Sequence, residues 1–366
     1  MSQPPSMRLR FEQFVDALQQ QIVTELENLE LENFEREQHE LGRLDGGAPK
    51  FKRDSWVRDA GGRGLSCVFS CTPEAGELTS TKNTILEKAG VNVSVVHGIL
   101  PPAAIKEMRA DHSNIPYDGQ TSLPFFASGI SLVIHPRNPF APTVHANYRY
   151  FEITEKVVEG EETGKVVAWW FGGGSDLTPS YLDESDAEYF HKTLKDACDQ
   201  HGCELYPVFK KWCDEYFYIV HRRETRGIGG LFFDDLSSER HARLSDNIPR
   251  PKTADEIFAF IQTAGNAFIP SYIPILKAKY ATKYNDHHRR WQLVRRGRYV
   301  EFNLVYDRGT RFGLKTPSAR IESILMSLPE TARWEWMSDL GNDGDQSEEG
   351  KLVLVLKNPR EWVKDV

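Results

Sequence analysis

The chain has 366 residues, 40% of them apolar with eight Trp and twenty Phe, enough for a large buried core and too few for more than about two domains. Its formal net charge is −8 with Lys and Arg interspersed, so no bulk positive field awaits a nucleic acid, and an anionic ligand would have to be met by a local cluster of arginines. Five cysteines (Cys67, Cys71, Cys198, Cys203 and Cys213) make an odd set without C-x-x-C, the pattern of reduced thiols rather than of a disulfide framework. No apolar run approaches the ~20 residues needed to cross a bilayer. The N-terminal MSQPPSMRLRFEQF has no apolar targeting core and turns acidic at Glu12 and Asp16. The expectation is a cytoplasmic protein with no membrane segment and no nucleic-acid partner.

Met7 to about Glu37 reads as helix, because Phe14, Leu18, Ile22, Leu26 and Leu29 recur at three- and four-residue spacing between charges. The charged, glycine-bearing stretch 35–62 reads as loop. Short β-rich runs follow at 65–70 and 91–97, and the Pro-rich 100–121 reads as loop or a short helix. From Ser131 the chain alternates with a period of two. Ser131, Val133 and His135 share one face, and after a Pro-rich turn so do His145, Asn147, Arg149 and Phe151, opposite Ala146, Tyr148 and Tyr150. A third apolar strand from Lys165 runs into Gly172-Gly173-Gly174-Ser175-Asp176.

Beyond Pro179 the pattern turns helical. Ser185–Glu188 reads as a capping box, a second helix runs from near Pro207 to His221, and Thr253–Glu256 is another capping box. Leu231–Phe233 is a strand stopping at Asp234-Asp235. The basic stretch 287–298 reads as helix up to Gly297. Tyr299–Tyr306 alternates again, with Tyr299, Glu301, Asn303, Val305 and Asp307 on one face. Residues 317–328 read as a last helix and 340–351 as a polar loop. Strands near 65, 92, 130, 145, 166, 231 and 300, with helices in blocks around them, predict an α+β fold. The expected architecture is a single seven-stranded antiparallel sheet flanked by helices on both faces, one domain over 1–366.

A sheet built only for packing would place Val, Leu and Ile where Ser131, His135, His145, Asn147 and Arg149 converge, beside a triple glycine that delivers Asp176. That face is the candidate site. Nucleotide-binding glycine loops and the G-x-S-x-G elbow are missing from the sequence.

The segments HANYRYFE (145–152), WWFGGGSDLTP (169–179), KKWCDEYFYIVHRRETRGIGGLFFDDL (210–236) and GRYVEFNLVYDRGTRFGL (297–314) resemble the oxygen-dependent coproporphyrinogen-III oxidase family, over roughly Phe11 to the C-terminus. The resemblance implies a homodimer with a seven-stranded antiparallel sheet between helices. It implies oxidative decarboxylation of two propionates of coproporphyrinogen III to vinyl groups, yielding protoporphyrinogen IX. O₂ is the oxidant, CO₂ and hydrogen peroxide are released, and no organic cofactor is used. Mitochondrial members make the intermembrane space the alternative location.

By the same resemblance His145 is the proton donor, Asn147, Tyr148 and Arg149 form the substrate-contacting strand, and Ser131 is a further contact. The family's usual Gly-x-Arg contact reads here Ser318-Ala319-Arg320, which keeps the arginine and loses the glycine. Four propionates call for guanidinium forks, for which Arg149, Arg226, Arg308 and Arg320 are candidates. The inward pyrrole N–H groups call for a carboxylate, for which Asp176 and Asp307 are candidates. His135, His145, His191 and His221 stand where a divalent metal has been considered in the family. With neither H-E-x-x-H nor a 2-His-1-carboxylate spacing present, the expectation is no metal, without excluding one.

Overall fold

The structure, a computed structural model, describes residues 5–41, 47–59, 61–70, 84–109, 115–156, 164–315 and 319–363. A long helix α1 (Met7–Leu41) opens the chain. Of the expected stripe, Leu18, Ile22, Leu26 and Leu29 are buried, together with Phe11 and Val15, while Phe14 is only half-buried.

Six strands follow: β1 (Lys52–Val57), β2 (Gly62–Ser70), β3 (Leu86–Leu100), β4 (Leu123–Pro136), β5 (Thr143–Thr154) and β6 (Val166–Thr178), with a short helix α2 (Pro102–Met108) after β3. Each pairs antiparallel with its neighbour in sequence. Helices α3 (Glu184–Asp199) and α4 (Leu205–Tyr216) and a two-stranded ribbon, β7 (Tyr218–Ile219) with β8 (Glu224–Thr225), intervene before β9 (Gly229–Leu236) completes the sheet on β6. The order β1-β2-β3-β4-β5-β6-β9 makes seven strands, so the α+β expectation holds. Then come α5 (Ala254–Asn266), α6 (Phe268–Lys279), α7 (Asp286–Val305), α8 (Arg308–Lys315), α9 (Ile321–Leu325) and α10 (Glu348–Lys357). No helix among the described residues is long and apolar enough to cross a membrane.

One face of the sheet holds the core. Ile130, Leu132, Ile134, Ala146, Tyr148, Tyr150 and Phe171 are buried against α1 and α5, with Phe11 packed on Tyr150 and Phe171. The other face is touched by α9, whose Ser323 meets Ser66 and Asn92. The end of α7 closes on the turn before β9.

Five expectations are corrected. The alternating stretch at 299–306 is not a strand but the last two turns of α7. Its buried residues Trp291, Val294, Arg295, Tyr299, Phe302 and Asn303 repeat at helical spacing, while Val300, Phe302, Leu304 and Tyr306 also alternate, so the stretch fits both periods. Gly297 does not end that helix; a Cβ there would lie 2.7 Å from the Arg333 carbonyl, so the glycine admits a crossing chain. The seventh strand is instead β1, in a stretch that reads as loop because three of its six residues are charged; all but one of the six are exposed, the protection an edge strand requires. The cap of α3 is Asp183, which accepts from the backbone of Ser185 and Asp186, rather than Ser185. The polar stretch 340–351 contains the start of α10, capped by Ser347.

Candidate active site

The site grows from two adjacent rows that cross the sheet on the face opposite the core. In register, Ser66, Asn92, Ser131, Asn147 and Gly174 form one row, and Gly64, Ser94, Gly129, Arg149 and Gly172 the next. Period-two alternation puts every one of these side chains on the same face, and nearly all are small. The open part of these rows, which form the floor, is Ser94, exposed, with Gly129, Ser131, Asn147 and Arg149 half-buried, while Gly64, Ser66, Gly172 and Gly174 are buried.

One row further along, His145 on β5 faces Asp176 on β6. The His145 Nδ1 lies 2.8 Å from Asp176 Oδ1, and Arg226 donates from Nη2 to both Asp176 oxygens at 3.0 and 2.8 Å. Burial pushes the Asp176 carboxyl up, but the Arg226 guanidinium and His145 overcome it and hold the group below its usual value. Arg226 also donates to Asn303 of α7 at 2.8 Å and lies between the rings of Phe217, Tyr299 and Phe302, 4.1 to 5.0 Å from their centroids. Asp176 is therefore a fixed, ionised anchor. The His145 side chain keeps 22% of its surface against 2% for Asp176, so Nε2 is the nitrogen left for a ligand.

On the β9 side, Arg149 donates from Nη1 to Asn147 Oδ1 at 2.9 Å and pairs through Nη2 with Asp234 Oδ2 at 2.7 Å. Arg308, at the start of α8, reaches the same Asp234 oxygen at 3.8 Å and lies over the Tyr216 ring at 5.4 Å. Tyr216 donates its hydroxyl to Asp307 Oδ1 at 3.0 Å, and Asp307 Oδ2 accepts from the Thr310 backbone at 2.6 Å. Burial, with the Asp307 charge beside it, pushes the Tyr216 hydroxyl up to about 12, so it stays a donor at neutral pH.

The sequence profile described as coproporphyrinogen III oxidase matches residues 10–362. The chain belongs to this family. It is 54% identical over 314 residues to the oxygen-dependent coproporphyrinogen-III oxidase of Drosophila melanogaster, covering 86% of this chain and 71% of that one. It is 49% identical over 341 residues to the mitochondrial enzyme of that name from Homo sapiens, covering 93% and 67%. It is 43% identical over 362 residues to the chloroplastic coproporphyrinogen-III oxidase 1 of Arabidopsis thaliana, covering 99% and 81%.

In this member of the oxidase family, Ser131, His145, Asn147, Arg149 and Asp176 come together on one face, as their alternation predicts. Tyr148 does not join them. Its ring is buried on the core face and its hydroxyl donates to the Ala264 carbonyl at 2.9 Å, so only its backbone belongs to the site strand. Arg226 is not an open clamp, because it is buried and spent on Asp176. Asp307 is not a strand-end residue; it sits between α7 and α8 and caps α8.

Arg320 precedes α9 and pairs with Asp54 of β1, with half-buried Ala319 beside it; Ser318 lies outside the described residues. Asp54 and Arg149 stand on strands four steps apart, about 19 Å at the usual strand spacing, which separates the two basic positions across the floor.

The other histidines do not converge on His145. His135 is bonded to Thr143 and the Ser327 carbonyl, His191 to Tyr206 and the Ile228 carbonyl, and His221 to Tyr306 and Glu301. Each thus uses both ring nitrogens. Among the described residues no group of three or more His, Cys, Asp or Glu could hold a metal ion. Asp234 and Tyr216 carry no local signal in the sequence, where Asp234-Asp235 reads as the end of a strand.

Proposed function

We infer that this chain carries out the oxygen-dependent oxidative decarboxylation of two propionates of coproporphyrinogen III, giving the divinyl product protoporphyrinogen IX in haem synthesis. The observation that carries the reading is the His145–Asp176 pair beside a floor of small residues, bordered by Arg149 and Arg308 on one side and Arg320 on the other, in a chain that matches the family over nearly its whole length. For each vinyl formed, the propionate loses CO₂ from its end and a hydride equivalent from the carbon next to the ring. O₂ takes that hydrogen with its two electrons and one further proton, becoming hydrogen peroxide.

The roles of the residues follow from their surroundings. The propionates are met by Arg149, Arg308 and Arg320, and the floor offers Ser131 and Asn147 as neutral contacts. Asp176 has both oxygens occupied and almost no surface, so it orients His145 rather than touching substrate. His145 Nε2 then handles the proton each turnover requires. Asp307 retains surface and a free lone pair on each oxygen, which fits it to face the pyrrole N–H groups.

O₂ is a co-substrate in this scheme, with no organic cofactor and no resident metal. The purified chain is expected to convert coproporphyrinogen III to CO₂ and vinyl product in air and to stop without O₂. It is expected to keep its rate after exhaustive chelation. No turnover in air defeats the reading, and a rate lost to chelation and restored by one metal defeats the metal-free form of it. We also propose that the chain acts as a homodimer.

A further inference from the structure

The carboxylate of Asp234 sits where no packing need explains it. In the β6–β9 pairing Phe171 faces Leu236 and Gly173 faces Phe233, so the single Gly172 stands opposite both Asp234 and Asp235. Such a bulge re-aims a side chain, and Asp235 takes the left-handed conformation (φ 57°) that completes it. The Asp235 N–H, donated to Asp234 Oδ1 at 3.0 Å, and the bond between the Asp234 carbonyl and His241 fix the aim. It is directed onto Arg149, with Arg308 beyond. Gly172 is the residue that leaves room, since a Cβ there would collide with both Asp234 and Arg149.

We propose that Asp234 is a stand-in for a substrate carboxylate. In the free protein it occupies the seat between Arg149 and Arg308, and an incoming propionate takes its place. This rests on the function inferred above. Two guanidiniums converging on one half-open carboxylate form the seat that a propionate needs. A propionate must compete with the internal group, which lowers the apparent affinity by the fraction of time the seat is filled. When a propionate in the seat becomes a vinyl group it can no longer balance two cations, and Asp234 returns to them. The exchange lets the site distinguish an acid from the vinyl group it becomes.

The test is the Kd of coproporphyrin III, the oxidised and unreactive tetracarboxylate, measured by fluorescence for the parent, Asp234→Asn and Asp234→Ser. Ordinary damage to a site weakens binding, whereas removal of a competitor strengthens it. Both variants are expected to bind about two- to fivefold tighter, the scale of a half-exposed ion pair. The gain is expected to vanish when Asp234→Asn is combined with Arg149→Gln. Unchanged or weaker binding in both variants overturns the proposal, and so does an equal gain from Asp235→Asn, which removes the same charge one residue away. A parent that binds no coproporphyrin overturns the functional reading and this inference with it. A parent that binds and turns over, with variants that do not tighten, overturns only the inference.

Discussion

Two carboxylates of the site differ in what surrounds them, and the difference decides their work. Asp176 is enclosed by Arg226 and His145, while Asp307 receives a phenol and a backbone N–H and remains partly open. Asp307→Asn keeps the size and one acceptor but cannot take a proton or balance positive charge on a pyrrole. We expect kcat to fall at least about a hundredfold with KM within a few-fold. The melting temperature should change little, since the variant loses only part of a helix cap, worth about 1 kcal/mol.

Asp176→Asn is expected to behave differently. It leaves Arg226 buried among aromatic rings without its counter-ion, a loss on the order of 3–5 kcal/mol, so activity and thermal stability should fall together. A normal kcat for Asp307→Asn in steady-state assays would leave that residue only its cap. A normal melting temperature for Asp176→Asn in calorimetry would show that Arg226 does not depend on it.

At the level of elements, α7 decides where the site ends, and ion pairs attach it to the sheet and to the β7–β8 ribbon. Arg289 and Arg296 both bind Glu87 at 2.8 Å, near the start of β3, and Arg295 binds Glu224 of β8 at 2.7 Å. Burial pushes Glu87 up, but Arg296 and Arg289 prevail and bring it down to about 2 from 4.5. A carboxyl whose value is depressed on folding stabilises above its unfolded value and loses that contribution as the pH falls toward its folded one. Unfolding free energy should therefore drop between about pH 4.5 and pH 2, by roughly 3 kcal/mol from this group. Glu87→Gln should be less stable at pH 7 and show a flatter acid limb in denaturant titrations at successive pH values. A parallel acid limb in parent and variant would remove Glu87 as its source.

For the whole molecule, the proposed two-fold assembly needs an interface other than a strand edge. An exposed edge at 299–305 would have invited strand pairing, but that segment is helix, and the outer strand β1 is protected by charge. Apolar side chains are exposed instead around Glu301. Leu304 and Val305 lie on the last turn of α7, and Trp334 donates to Glu301 and is followed by Trp336 and Met337, exposed to 94% and 83%. A sedimenting mass of two chains at micromolar concentration is expected, shifted toward one by Trp336→Glu; a parent that sediments as a monomer refutes the assembly.

What the sequence determined by itself was whatever depends on local period. The buried stripe of α1 and the division of β4 and β5 into an apolar and a polar face are readable because side chains repeat every 3.6 or every two residues, whatever surrounds them. His145, Asn147 and Arg149 could be grouped on one face for that reason. Where one stretch fits both periods, as at 299–306, only packing against Arg226 and the chain at Arg333 selects the helix. The tertiary structure alone decided the partners. Asp176 and Arg226 lie 50 positions apart and Arg149 and Asp234 lie 85 apart, so neither ion pair leaves a trace in any local pattern. A charged residue looks the same in sequence whether it meets water, a helix terminus or a buried counter-ion, because its energy is set by neighbours that the fold brings from elsewhere.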